Sequence, residues 1–138
     1  EPATDPDWSP QLIVVALGTN DFSTELHAGE PWPDRAALQA DYRATYGTFL
    51  QTLRSRHPGA YLLVWATDLA SGEVAAQAQA VVKALQADGE RRIGFVPVTG
   101  LTFAGCDYHP DLADDATIAA TLAAHVDQQP GIWPGSAN

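Results

Sequence analysis

Two short segments of the chain contain side chains that could act together on an ester. Gly18-Thr19-Asn20-Asp21 follows an apolar run, and His109-Pro110 precedes the last periodic segment. The side-chain amide of Asn20 could donate an N–H to a developing oxyanion, and His109 could be the general base for a serine. Asp107 could orient the imidazole. Both segments also have a structural interpretation, because Gly, Asn and Asp form turns and single histidines are mostly structural.

The other three histidines do not predict a metal site. His57 ends a helical pattern beside a proline, His125 lies on a helix, and His27 lies in the loop after Asn20, from where it could approach the site. The four histidines do not share the spacing of metal ligands. The sequence therefore predicts neither a metal nor another cofactor.

The elements that must position these residues follow from the hydrophobic pattern. Continuous apolar runs predict strands buried on both faces over residues 11–17, 61–66 and 93–98. Apolar residues at spacings of three and four predict helices from Asp34 to the stop at His57-Pro58-Gly59, over residues 73–87, and over about 114–128. This alternation predicts an α/β fold with a parallel sheet over residues 11–130. Residues 1–10 are predicted to be a linker or a cut loop, and residues 131–138 a tail.

Three loops leave the carboxyl ends of the predicted strands, at residues 18–22, 67–72 and 99–110. Ligands of open α/β sheets bind outside this edge. We therefore expect Asn20 and His109 to face one cleft there, within about 15 Å of each other, because both must reach one reacting centre.

Charge and composition exclude other classes of partner. The chain has 7 Lys and Arg residues against 17 Asp and Glu, a formal charge of −10 that repels phosphate backbones, so no nucleic-acid partner is predicted. No apolar run approaches the roughly 20 residues that span a bilayer, so no membrane partner is predicted either. With one cysteine, Cys106, the chain forms no internal disulfide.

Together these segments resemble the SGNH or GDSL hydrolase superfamily. Its third block, Gly-x-Asn-Asp after a buried strand, is matched at Gly18-Thr19-Asn20-Asp21, and its fifth block by His109-Pro110. The sequences VVALGTNDF at 14–22 and GCDYHP at 105–110 are most similar to those of carbohydrate esterase family 2, the acetyl xylan esterase-like enzymes. The resemblance extends from Leu12 to about Val126. It implies a flavodoxin-like three-layer parallel sheet, of which this chain supplies the C-terminal β-α-β-α-β-α portion.

The resemblance also implies an activity. Its members remove acetyl groups from xylan or a similar polysaccharide through a Ser-His(-Asp) mechanism, outside the cell or in the periplasm, with Asn20 as oxyanion donor and His109 as base. The superfamily often has an Asp three residues before the histidine, where this chain has Cys106. The orienting group is therefore either Asp107 or a backbone carbonyl.

Three further residues are candidates for binding an acetylated polysaccharide. Trp32 could be an aromatic at the rim of the site or an anchor of its loop. Tyr108 could face the cleft or pack beneath it. Asp68, just after the second predicted strand, could contact the substrate.

The nucleophilic serine is expected outside this chain. The superfamily's Gly-Asp-Ser block and its glycine oxyanion donor would both precede Leu12, before which only eleven residues stand. None of the five serines has a strand-to-loop nucleophile setting in the predicted pattern: Ser9, Ser23, Ser55, Ser71 and Ser136. We therefore expect a fragment or cleavage product that is catalytically silent alone and poorly stable. Its unpaired first strand would associate with the missing N-terminal segment or with a second copy.

Two other function classes stay open. The chain could come from another SGNH enzyme, such as an esterase, thioesterase or lipase, although it lacks the apolar lid-like stretch of a lipase. It could also be a non-catalytic α/β binding module, in which Asn20 and His109 are structural.

Overall fold

The protein is described by a computed structural model over residues 8–133. Residues 1–7 of the predicted linker and 134–138 of the predicted tail lie outside that range. Single 3₁₀ turns at Ala70–Gly72 and Cys106–Tyr108 precede the last two helices. The other elements are, in order, β1 (Leu12–Val15), α1 (Thr19–Phe22), α2 (Arg35–Arg56), β2 (Tyr61–Thr67), α3 (Glu73–Ala87), β3 (Ile93–Val98) and α4 (Leu112–Asp127).

Within residues 8–133 the strands form one parallel sheet in the order β1-β2-β3. Leu12 pairs with Tyr61, and Leu62 pairs with Ile93. The predicted α/β fold with a parallel sheet is confirmed, and the predicted bounds of α3 and β3 are those observed. In the part of the chain described here, no helix is both long and apolar enough to cross a membrane.

The sheet separates two apolar cores, because successive side chains of a strand point to opposite faces. Leu62 and Val64 of β2 face the larger core, which they share with residues of α2 and α3. Tyr61 and Leu63 face the smaller core, which Ile132 closes and against which apolar residues of α4 pack. The three layers of the predicted flavodoxin-like architecture are therefore present.

The first strand differs from its prediction in length and burial. It spans four residues instead of seven, and Val14 and Leu17 are 47% and 49% exposed. Among the described residues, β1 has a neighbouring strand on one side only, and α4 packs over β3 rather than over β1. The prediction of a strand buried on both faces is correct for β2 and wrong for β1.

The last helix begins two residues before its predicted start. The carboxylate of Asp111 accepts the backbone N–H groups of Ala113 and Asp114, at 2.8 and 2.9 Å, and the carboxylate of Asp114 accepts the N–H of Asp111. This reciprocal capping box starts the helix at Leu112.

Candidate active site

The segment after β1 is a tight turn followed by one turn of helix, not the loop predicted over 18–22. Gly18 has a φ of +116°, and α1 begins at the next residue with Asn20 exposed on it. The hydroxyl of Tyr42 donates to the carbonyl oxygen of Leu17 at 2.9 Å. A Cβ on residue 18 would lie 2.6 Å from that hydroxyl, so the turn needs glycine for its backbone angle and for its space. We call residues 17–22 the asparagine arm.

Buried contacts also fix the far end of this arm. Phe22 is 1% exposed and packs edge-on against Tyr42, with 4.9 Å between ring centroids. Arg35 donates to the carbonyl oxygens of Phe22 and Thr24, at 2.8 and 2.7 Å, and its guanidinium lies over the Phe22 ring. This role of Arg35 is not predictable from the sequence, because no local pattern marks a side chain that acts across eleven residues or more.

A groove of about 570 Å³ opens beside the asparagine arm. Trp32 is half-buried on the wall of the groove, where an aromatic at the rim of the site was expected. Its indole N–H donates to Asp41 at 2.9 Å, a bond that also anchors its loop. His109 is not one of the described residues that line the groove. The other principal lining residues are Leu17, Gly18, Thr19, Asn20, Asp21, Leu38, Tyr42, Thr45, Tyr46 and Phe49.

The histidine arm, residues 99–109, connects β3 to the segment that begins α4. His109 is exposed, and its Nδ1 lies 3.0 Å from the carbonyl oxygen of Cys106. Because a carbonyl oxygen only accepts, this contact assigns the proton to Nδ1 and leaves Nε2 as the acceptor nitrogen. Of the two orienting groups considered from the sequence, the Cys106 carbonyl is the one bonded to the ring. The side chain of Asp107 is exposed beside it.

The tip of the histidine arm has an unusual backbone. Asp107 and Tyr108 have φ values of +51° and +59°, a left-handed conformation that side chains other than glycine rarely adopt. Tyr108 is 89% exposed. It does not pack beneath the site, and its ring is accessible to a ligand.

A buried carboxylate holds the base of the histidine arm. Asp114 is 3% exposed and accepts the backbone N–H groups of Thr102 and Phe103, each at 2.8 Å, in addition to its bond from Asp111. These bonds lower the pKa of Asp114, with the N–H of Thr102 as the largest cause. This role of Asp114 was not predicted from the sequence. Its only local signal was the Asp-x-x-Asp spacing of the capping box.

The parallel register relates the two arms. Asn20 follows β1 and His109 follows β3, so both arms come after the carboxyl ends of strands of one parallel sheet, with β2 between them. Asp68 also leaves this edge, exposed directly after β2. That the side chains of Asn20 and His109 face each other across one cleft stays a prediction.

The remaining histidines lie elsewhere or have other contacts. The Nε2 of His125 lies 3.1 Å from the hydroxyl of Tyr61, which begins β2 at the amino edge of the sheet, and His57 packs edge-on against Trp8. His27 is exposed in the loop after α1, where its backbone N–H binds Glu30. No group of three or more His, Cys, Asp or Glu within residues 8–133 could hold a metal ion.

Ser71 has a setting that the sequence did not predict. It is exposed in the turn between β2 and α3, with a φ of +55° between the left-handed residues Ala70 and Gly72. The expectation that Ser71 is not the nucleophile stays a prediction. Of the three consecutive left-handed residues, only the glycine gives a signal in the sequence.

Comparison with known proteins supplies a family likeness. No protein-family model matches the chain. An acetylxylan esterase / glucomannan deacetylase of Cellvibrio japonicus is 41% identical over 126 residues, which are 91% of this chain and 35% of that protein. This chain thus spans about a third of that relative's length.

Solved structures agree with this likeness. A carbohydrate esterase whose active site has divergent catalytic and non-catalytic binding functions superposes with a TM-score of 0.90 and 39% identity, over 96% of this chain and 41% of its own. A family two carbohydrate esterase from Cellvibrio japonicus matches with a TM-score of 0.67 and 26% identity, over 91% of this chain and 35% of its own. The chain therefore has the SGNH-type α/β fold of the family two carbohydrate esterases and corresponds to part of their length.

Proposed function

We propose that this chain is the part of a carbohydrate O-deacetylase that supplies the general base and the side-chain oxyanion donor. The observation that carries the proposal is the tautomer of His109. With Nδ1 donating to the Cys106 carbonyl, Nε2 is available to accept a proton at the sheet edge that Asn20 also leaves. Acetyl esters of xylan or glucomannan are the proposed substrates, since the similar Cellvibrio japonicus protein is an acetylxylan esterase / glucomannan deacetylase.

The proposed reaction has two stages. A serine hydroxyl attacks the acetyl carbonyl carbon while His109 Nε2 accepts its proton, and the Asn20 amide donates to the oxyanion. The tetrahedral intermediate then collapses, the sugar hydroxyl leaves with the proton from His109, and the acetyl group stays on the serine. In the second stage water attacks the acetyl carbon while His109 accepts its proton. The bond to the serine oxygen then breaks, acetate leaves, and His109 returns the proton to the serine.

In this proposal the serine comes from a segment that pairs with β1. Val14 of β1 is an exposed apolar side chain at this edge, Leu17 is exposed and lines the groove beside Asn20, and Phe49 on the facing helix is 41% exposed. A strand added at this edge would cover these side chains and bind the open backbone groups of β1. Its carboxyl end would then lie beside the asparagine arm.

Three residues are proposed to bind the polysaccharide. Trp32 stands on the groove wall, Tyr108 presents an exposed ring next to His109, and Asp68 lies between the two arms along the sheet edge. Aromatic faces and a few polar groups are the usual means of holding a sugar. A polysaccharide does not cross the cell membrane, so the proposed location of the protein is outside the cell or in the periplasm.

The test measures acetate release by the complete gene product that contains these residues. We expect release from acetylated xylan and acetylated glucomannan and little hydrolysis of 4-nitrophenyl octanoate. Preference for the octanoyl ester would indicate another class of SGNH esterase. Binding of the polysaccharide without turnover would indicate a non-catalytic module.

The 138-residue chain alone provides the control. We expect no hydrolysis of an acetyl ester by it, with or without Ser71→Ala. Turnover by the chain alone that Ser71→Ala abolishes would contradict an external nucleophile and assign the serine to the β2–α3 turn.

A further inference from the structure

The asparagine arm contains a helix too short to be stable by itself. α1 has four residues, fewer than a helix needs to repay its nucleation, and no side chain caps its start. The angle at which Asn20 is presented therefore depends on tertiary contacts. Tyr42 supplies one at the start of the arm, and Arg35 supplies the other at its end.

Arg35 is bound in turn by the first residue of α3. Its Nε and Nη2 donate to the carboxylate of Glu73, with the Nη2–Oε2 pair at 2.9 Å, and Gln39 donates to the same carboxylate at 2.7 Å. The two charged side chains are 31% and 21% exposed. The hydrogen bonds from Arg35 are the largest cause of a lowered pKa at Glu73, so the pair is ionised at neutral pH.

The location of Arg35 is unfavourable for α2 itself. It is the first residue of that helix, where the helix dipole disfavours a positive charge, whereas Glu73 at the start of α3 is favourably placed. The same guanidinium is favourably placed toward α1, because it binds carbonyl oxygens at that helix's carboxyl end. Local helix stability therefore does not explain an arginine here, whereas support of the asparagine arm does.

We propose that Arg35, held by Glu73, is a positioning residue for the oxyanion donor Asn20, an inference that rests on the proposed function. The guanidinium contacts no reacting atom. It fixes the carbonyl end of α1, two residues after Asn20, and so sets the direction of the Asn20 amide. Loss of this restraint lets the amide move away from the oxyanion.

A second arginine of α2 provides a matched control. Arg54 pairs with Glu90 at 2.6 Å and donates to the carbonyl oxygens of His57, Pro58, Ala60 and Arg92. Its exposure of 21% is similar to that of Arg35. It holds the turn that leads into the amino end of β2, away from Asn20. Both arginines thus join a helix to backbone carbonyls, but only Arg35 does so at the proposed site.

The experiment compares Arg35→Gln with Arg54→Gln in the complete gene product, measuring kcat and KM for acetyl ester hydrolysis and the temperature of unfolding. We expect both variants to lower the unfolding temperature. Only Arg35→Gln should lower kcat, on the order of ten- to a hundred-fold with KM nearly unchanged, because a misdirected donor weakens the transition state. Arg35→Lys should recover part of the loss. Equal kcat for the two Gln variants would overturn the inference.

A double-variant cycle tests whether Arg35 acts through Asn20. Asn20→Ala should lower kcat on the order of a hundred-fold, and adding Arg35→Gln should then lower it little further. Additive losses would contradict the inference.

A spectroscopic readout separates this inference from the proposed function. The backbone and Asn20 side-chain amide resonances of residues 19–24 should shift in Arg35→Gln and not in Arg54→Gln. Unmoved resonances would refute the positioning role. Should Asn20→Ala leave turnover intact, the oxyanion assignment fails, whatever the resonances show about the contacts of Arg35.

Discussion

The asparagine arm and the histidine arm leave the same edge of the sheet, but they are supported differently. The asparagine arm is held at both ends, by Tyr42 at its start and by Arg35 at its end, with Phe22 buried between them. The histidine arm is held at its base by Asp114, while its tip is exposed and left-handed at Asp107 and Tyr108. An oxyanion donor must already point correctly when charge develops, whereas a general base must also exchange protons with water and the leaving group.

The largest expected effect follows from removing the base. His109→Ala in the complete gene product should lower kcat by at least about a thousand-fold, as losses of the triad histidine do. The unfolding temperature should change little, because His109 is exposed. His125→Ala is the matched control, since that histidine lies at the opposite edge of the sheet. Near-normal acetate release by His109→Ala would reject the general-base assignment.

Removing the charge at the base of the histidine arm should lower stability in a pH-dependent way. The folded pKa of Asp114 is lowered, so its stabilisation is complete above the unfolded value of about 3.9 and is lost as the pH falls through the folded pKa. Asp114→Asn should therefore unfold more easily than the wild type at pH 7, and the difference should shrink below about pH 4.

Urea unfolding between pH 7 and pH 2 measures this difference, and Asp115→Asn, an exposed neighbour, is the control. The difference between wild type and variant isolates Asp114 from Glu73 and Glu90, whose pKa values are also lowered. A difference between wild type and Asp114→Asn that stays constant with pH would contradict the charged role of this carboxylate.

Asp107→Ala should have a smaller effect on turnover. The Cys106 carbonyl already binds Nδ1 of the ring, so we expect a loss in kcat of less than about ten-fold. The pH profile of kcat/KM should keep its shape. A loss as large as that of His109→Ala would identify Asp107 as the orienting acid, reached only when substrate is bound.

The smallest effect concerns the start of the asparagine arm. Tyr42→Phe removes the hydrogen bond to Leu17 and should lower the free energy of unfolding by about 1 kcal/mol. Tyr108→Phe is the control, because the ring of Tyr108 is 89% exposed and loss of its hydroxyl should leave the free energy of unfolding nearly unchanged. Equal destabilisation by the two variants in urea unfolding would contradict the support assigned to Tyr42.

The elements that sequence predicted well are those fixed by local pattern. The runs at residues 61–66 and 93–98 are apolar because they are buried strands, and Asp88-Gly89 marks the end of α3 because Gly89 adopts a φ of +100° there. The same kind of local pattern selected Asn20 and His109 as candidates, and their catalytic roles stay predictions.

The parts that sequence missed depend on distant or non-local contacts. Arg35 meets Glu73 across 38 residues, and Asp114 meets Thr102 across 12. The shortened β1 and the left-handed turn at Ser71 depend on what packs around them, which hydropathy alone does not encode. The identity of the group that orients His109 was left between two choices, because a carbonyl has no signature in sequence.

A structure of the complete gene product with a phosphonate ester bound to its serine tests the central claim most directly. The phosphonate oxygen stands for the oxyanion and the phosphorus for the tetrahedral carbon. The account predicts that the Asn20 amide nitrogen lies about 3 Å from that oxygen and His109 Nε2 about 3 Å from the serine Oγ. An adduct whose oxygen is held elsewhere, or Asn20 and His109 side chains more than about 15 Å apart, would contradict it.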